Sequence, residues 1–164
     1  MLAPPRDRPP ERWKHARLIA LLVPAALLGG ALASQYAGGL YPCEMCHWQR
    51  WPHAAAILLA LGAMLSPPAA PRSRTLTLLA ALAIAVSGAI GVFHAGVEYG
   101  FWEGLTTCTT SGATSLEDIL AVPLVRCDQV QWSLLGVSMA GWNAIVSLSA
   151  AAVIAFLATS GPRR

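Results

Sequence analysis

Charge is what this chain has least of. Only 12% of its 164 residues are Asp, Glu, Lys or Arg, against roughly 25% in an ordinary soluble protein. Aromatic residues are scarce too, at 7%, whereas the apolar fraction reaches 55% and the mean hydropathy is +0.54. So little charge excludes a soluble single domain, because a chain this short has too little interior to hide that much apolar surface. A helical membrane protein has no such need, since lipid covers its apolar faces. No internal repeat is visible, and the length suits one domain.

Four stretches read as spanning helices, at residues 18 to about 37, 46 to 65, 75 to about 97 and 140 to about 159. Each reaches about 20 residues, enough to cross a ~30 Å hydrocarbon core. The second is interrupted by Arg50 and Pro52, the third carries His94, and the fourth reads as apolar throughout. The expected fold is all-α, an integral membrane four-helix bundle over residues 18–160, with tails at 1–17 and 161–164. A large loop, about residues 98–139, joins the third and fourth helices. Ala83, Ser87, Gly91 and Ala95 recur at spacing four in the third helix, a small-residue stripe that allows close packing. Within the loop, Ser115 and Asp118 form a capping-box pattern ahead of Leu116, Ile119 and Leu120, which predicts a short amphipathic helix on the membrane surface.

The few charges set the orientation. Arg6, Arg8, Arg12, Lys14 and Arg17 precede the first helix, Arg72 and Arg74 follow the second, and Arg163 and Arg164 close the chain. By the positive-inside rule both termini are cytoplasmic and the 98–139 loop faces outward. Arg50 and Arg126 alone fall on the outer side, beside most of the acids. The net charge of +3 therefore reflects topology and not nucleic-acid binding. A basic start, an apolar run and Ala31-Leu32-Ala33 also resemble a cleavable signal peptide, but the run continues past Ala33 at helix length.

All four cysteines then lie outside. Cys43 and Cys46 form a C-x-x-C entering the second helix, and Cys108 and Cys127 sit in the large loop. Pro42 suits a first helical turn, which would put Cys43, Cys46, His47 and Arg50 on one face. Trp48 and Trp51 look elsewhere, at the depth of an aromatic belt. Partial positive charge at the helix N-terminus favours a thiolate near Cys43. Arg50, one turn from Cys46, adds Coulomb attraction of roughly 2–3 kcal/mol at ~6 Å and an effective dielectric near 20. Pro52 cannot donate to the carbonyl of Trp48, so a kink is expected there. A guanidinium on the cysteine face can donate to a quinone carbonyl, although it could instead reach up to lipid phosphates. His94 and Glu98, one turn apart, are candidates for ligand binding or proton relay.

Other chemistries use some of the same residues. Cys43-x-x-Cys46-His47 is also the c-type haem attachment signature, which leaves Cys108 and Cys127 unexplained. A zinc site from Cys43, Cys46, His47 and a loop cysteine is chemically possible, but thiols facing an oxidising compartment tend to pair. Two permanent disulfides could merely staple the loops.

Taken together, these residues resemble the disulfide bond formation protein B (DsbB) family. The resemblance rests on four spans, on Pro42-Cys43-x-x-Cys46 with Arg50 four residues later, and on the loop cysteine pair. It also rests on Arg126-Cys127 followed by Gln131-Trp132 and Gly136, toward Met139 and Trp142. It implies a quinone-dependent thiol oxidase of the bacterial inner membrane, with Cys43, Cys46, Cys108 and Cys127 catalytic. A periplasmic DsbA-like thiol oxidase would reduce the Cys108–Cys127 disulfide. Electrons would pass to Cys43–Cys46 through a transient Cys43–Cys127 link, then to ubiquinone or menaquinone held by Cys46, Arg50, His94 and Glu98. A short segment between the loop cysteines and a Pro/Arg-rich tail depart from the family's pattern, and admit a specialised relative with a dedicated thioredoxin-like partner.

Overall fold

The structure, a computed structural model, describes residues 11–104 and 125–159. Cys108 and the loop helix expected around Ser115 and Asp118 lie outside these residues. The helices are α1 (Glu11–Tyr36), α2 (Glu44–Leu65), α3 (Pro71–Glu98) and α4 (Met139–Thr159). α1 runs through Pro24 and α2 through Pro52. Pro71 opens α3, where its missing N–H has no intrahelical partner to lose.

Each helix packs along its neighbours in sequence, and α4 returns against α1. α3 lies between α2 and α4, and touches α1 only lightly. The main core is built from small side chains, among them Ala16, Ala20, Ala56, Ala60, Ala80 and Ala151, closed by Ile84 and Ile154. Small residues let helix backbones approach, which replaces the hydrophobic drive that lipid removes. Gly91 shows the limit, because a Cβ there would sit 2.9 Å from the Ala140 carbonyl oxygen on α4.

Three helices, α1, α3 and α4, are long and apolar enough to cross a membrane. α2 is long enough but falls short in hydropathy, because its first ten residues, Glu44 to His53, carry Gln49, Arg50 and His53 as well as Glu44 and His47. Those polar residues are where the site lies. At the opposite end α1 is fastened to the α2–α3 turn. Trp13 Nε1 donates to Pro68 O at 2.9 Å, and Arg17 donates to Ala63 O at 2.6 Å and Ser66 O at 3.3 Å. The guanidinium thus meets the carbonyl end of α2, where the helix dipole favours a cation.

One element departs from the all-α expectation. Ser133–Leu134 (β1) and Val137–Ser138 (β2) pair antiparallel ahead of α4. Leu135 and Gly136 make the turn with φ of 53° and 78°, the double positive φ of a two-residue hairpin. Tyr99, just after α3, holds the hairpin: its hydroxyl donates to Gly136 O at 3.1 Å and accepts from Ser138 N–H at 2.8 Å. The hairpin therefore ties the end of α3 to the start of α4.

Candidate redox site

The site occupies the end where α2 begins and α3 finishes. Cys43 is the N-cap of α2, not a residue of its first turn, and its sulfur accepts from Cys46 N–H at 3.2 Å. The helix starts two residues later than Pro42 suggested, at Glu44, and the thiol does the work usually left to Ser or Asp. Cys43 is buried, and Cys43 and Cys46 are free thiols with sulfurs 2.8 Å apart. Cys127 is buried beside them in a cluster with Cys43, Met45, Val97 and Val125. The segment before the hairpin thus delivers a loop cysteine onto the C-x-x-C. Hydrogen bonding with Cys127 and with Cys46, together with burial, pushes the Cys43 thiol well up. This reverses the thiolate character expected at Cys43, because the shared proton and the apolar surroundings outweigh the helix N-terminus.

Arg50 is half-buried and turned toward α1. It donates from Nη1 to Gln35 Oε1 at 2.5 Å and from Nη2 to Ala31 O at 3.1 Å. His47 is exposed, unlike Cys43, so the single face expected to hold both does not form. His94 takes that place from α3: its Nε2 lies 3.5 Å from Cys43 Sγ and 3.8 Å from Glu98 Oε1. Glu98 is almost fully buried, and its Oε2 finds no partner among the described residues.

Sequence reasoning missed a polar chain that starts at His94. Its Nδ1 lies 2.8 Å from Gln49 Nε2, and Gln49 Oε1 accepts from Asn143 Nδ2 at 2.8 Å. Asn143 Oδ1 lies 2.9 Å from His53 Nε2, which is also 2.9 Å from Ser87 Oγ. The fourth span is therefore not apolar throughout, and Ser87 hydrogen-bonds as well as allowing close packing. A lone amide in an apolar span was the available signal.

A cavity of about 250 Å³ opens beside the thiols. Leu27, Ala31 and Ser34 of α1 line one side and Met139 and Trp142 of α4 another, with Cys46, Arg50, His94 and Glu98 at its polar edge. An apolar slot with a few convergent polar groups suits a flat, largely apolar ligand. The sulfurs of Cys43 and Cys46 and a ring nitrogen of His94 also lie within 4.8 Å of one another, a spacing that could hold a metal. The amide nitrogen of Gln49 on Nδ1 leaves the ring proton on Nε2, where a metal would have to bind.

Helices able to cross a membrane, carrying a buried dithiol with a third cysteine packed on it, define a multi-pass membrane thiol–disulfide oxidoreductase. The model of the family described as disulfide bond formation protein DsbB matches residues 12–157. Among curated relatives, disulfide bond formation protein B of Xanthomonas campestris pv. campestris (strain 8004) is 29% identical, covering 94% of this chain and 98% of its own. Those of Methylococcus capsulatus and Aromatoleum aromaticum are 34% and 31% identical, covering 80% and 81% of this chain and 85% and 84% of their own. No solved structure gives a significant match. The chain belongs to the DsbB family, membrane thiol oxidases that reoxidise DsbA.

Proposed function

We propose that this chain takes electrons from a periplasmic DsbA-like thiol oxidase and delivers them to membrane quinone, ubiquinone or menaquinone. The observation that carries the reading is the packing of Cys127 against Cys43 and Cys46, two thiols that line a cavity edged by Arg50. In this reading residues 18–160 form a four-helix transmembrane bundle in the bacterial inner membrane. Both termini are cytoplasmic, and the loop at about 98–139 carries its cysteines in the periplasm.

The exchanges balance as thiolate displacements. The partner's thiolate attacks Cys108, and Cys127 leaves as thiolate. Cys127 attacks Cys43 of the Cys43–Cys46 disulfide, and Cys46 leaves with the electron pair. The partner's second thiolate then displaces Cys108, which attacks Cys127 and releases Cys43. The outcome is a Cys108–Cys127 disulfide, an oxidised partner and a reduced Cys43–Cys46 pair. A bound quinone supplies a two-electron, two-proton acceptor. Cys46 lies on the cavity wall, and losing two electrons from the pair recloses its disulfide. Two of the five Arg50 N–H groups are committed to α1, which fixes the guanidinium while leaving donors for an oxygen that gains negative charge. His94 and Glu98 border the same space, where His94 can donate a hydrogen bond from Nε2 and Glu98 can hold or pass a proton.

The test is an oxidase assay with purified protein, reduced partner and quinone, followed by quinone absorbance. Cys43→Ser and Cys46→Ser should each abolish quinone reduction. Normal turnover in either variant would refute the relay.

A further inference from the structure

We propose that Gln49 and Asn143 are positioning residues that lock His94 as a hydrogen-bond donor toward the Cys43 sulfur. The proposal rests on the thiol-exchange reading above and adds a step it leaves open: what stabilises Cys43 as it leaves the Cys43–Cys127 link.

The argument starts from two backbone carbonyls, which can only accept. Asn143 Nδ2 lies 3.2 Å from Ser87 O, so the amide nitrogen must point there. That same nitrogen donates to Gln49 at 2.8 Å, so Gln49 must present its oxygen to Asn143. The opposite side of Asn143 agrees, because its Oδ1 accepts from the Ser147 hydroxyl at 2.9 Å. Gln49 Nε2 is fixed independently by the second carbonyl, Met45 O at 3.1 Å. An amide nitrogen carries only N–H groups, and this one lies 2.8 Å from His94 Nδ1. His94 Nδ1 must therefore be the lone-pair nitrogen, and the neutral ring carries its proton on Nε2. That N–H faces Cys43 Sγ at 3.5 Å, in a space it shares with the Cys127 backbone, a second hydrogen-bond partner of the ring, and with Glu98 Oε1 at 3.8 Å. Turning either amide over would set oxygen against a carbonyl oxygen.

The consequence has a sign. Fixed this way, His94 does not take the Cys43 proton; it donates to the sulfur and favours the thiolate. In the resolving step the Cys108 thiolate attacks Cys127, the Cys43–Cys127 bond breaks, and the electron pair departs on Cys43. A donor at that sulfur helps it leave, as charge-assisted hydrogen bonds do. The amide chain runs from α4 through α2 to α3, so it also fixes the imidazole's position relative to the thiol.

Two measurements on the full chain test this without any oxidase readout. In reduced protein with 15N-labelled histidine, His94 assigned by comparison with His94→Asn, the wild-type ring should show the proton on Nε2. A proton on Nδ1 overturns the proposal, and this result needs no further variant. In a Cys46→Ala, Cys108→Ala, Cys127→Ala background, Cys43 alkylation is followed against pH. Gln49→Met and Asn143→Leu should each move its midpoint up by about one unit, a roughly tenfold loss of thiolate below it. The titratable groups facing the site there are Tyr41, Arg50 and His53, Glu98 on α3, and Arg126. They are the same in every variant compared. A lowered melting temperature with an unmoved midpoint would make the chain merely structural and overturn the proposal. Loss of quinone reduction by the wild type would instead strike the function proposed above, leaving these two readouts intact.

Discussion

Arg50 reaches α1, and the consequence is measurable. A guanidinium can serve Gln35 Oε1 and Ala31 O together because its nitrogens form a fixed fork. A lysine at this position is a single point charge and cannot hold both. Arg50→Lys should raise the apparent quinone KM by about tenfold, the scale of one charged hydrogen bond, with a smaller effect on kcat. An unmoved KM in the oxidase assay would return Arg50 to a purely anchoring role. Cys43 offers a pH test. Its thiol is held up first by Cys127, then by Cys46 and burial, so it stays protonated past the ordinary thiol range and deprotonates only as pH climbs further. Cys127→Ala removes the largest cause, and Cys43 alkylation in the reduced protein should then set in at lower pH. Cys43, Cys46, Arg50 and His94 could be singled out in the sequence by type and spacing, and the structure brings them to one cavity. Gln49 could not, because its role comes from Asn143, 94 residues away, and no local pattern encodes that pairing.

At the scale of elements, two positions show how tightly the helices and their connections are set. A Cβ on Gly91 would lie 2.9 Å from Ala140 O and 3.1 Å from Ala144 N, both backbone atoms that cannot swing aside. Gly91→Leu should therefore force α3 and α4 apart and cost about 1–3 kcal/mol, read as a lower melting temperature in detergent or nanodiscs. The hairpin carries the opposite kind of strain. Leu135 sits at φ 53°, a region that disfavours side chains with a Cβ, and it is 86% exposed, so it contributes little packing within the protein. Leu135→Gly should leave the melting temperature unchanged or raise it, by up to about 1 kcal/mol of relieved strain. A clear drop would mean that the leucine is held by something outside the chain. The four helices could be read from the length of the apolar runs. The hairpin could not, because its turn lacks the Asn-Gly or Asp-Gly signal, and its register depends on Tyr99 reaching across from α3.

For the whole molecule, the scarcity of charge and the placement of polar groups argue in one direction. Arg17 is buried against the carbonyl end of α2, and Trp13 is fastened to the α2–α3 turn, so the end holding most of the basic residues among the described ones is also the end where α1 is locked to its neighbours. The polar residues of α2 gather at the other end, around the thiols, and lower its hydropathy below that of the three apolar helices. A helix that is less apolar is still tolerable inside lipid when its polar groups satisfy one another. Here Gln49 and His53 Nε2 do so with Ser87, His94 and Asn143, and His53 Nδ1 alone of these finds no partner among the described residues. α2 can therefore span despite its composition, and in the proposed four-span arrangement the number of crossings is even and both termini share one side. On the topology proposed above, the distribution of Lys and Arg predicts that this side is the cytoplasm. Alkaline phosphatase, active only after export, should be active when fused after Gly104 and inactive when fused after Ala70 or Thr159. Activity at Thr159 together with Gly104 would mean that α4 does not cross; activity at Ala70 with none at Gly104 would mean that α2 does not, and would remove the common face on which Cys43, Cys46 and Cys127 meet a periplasmic partner.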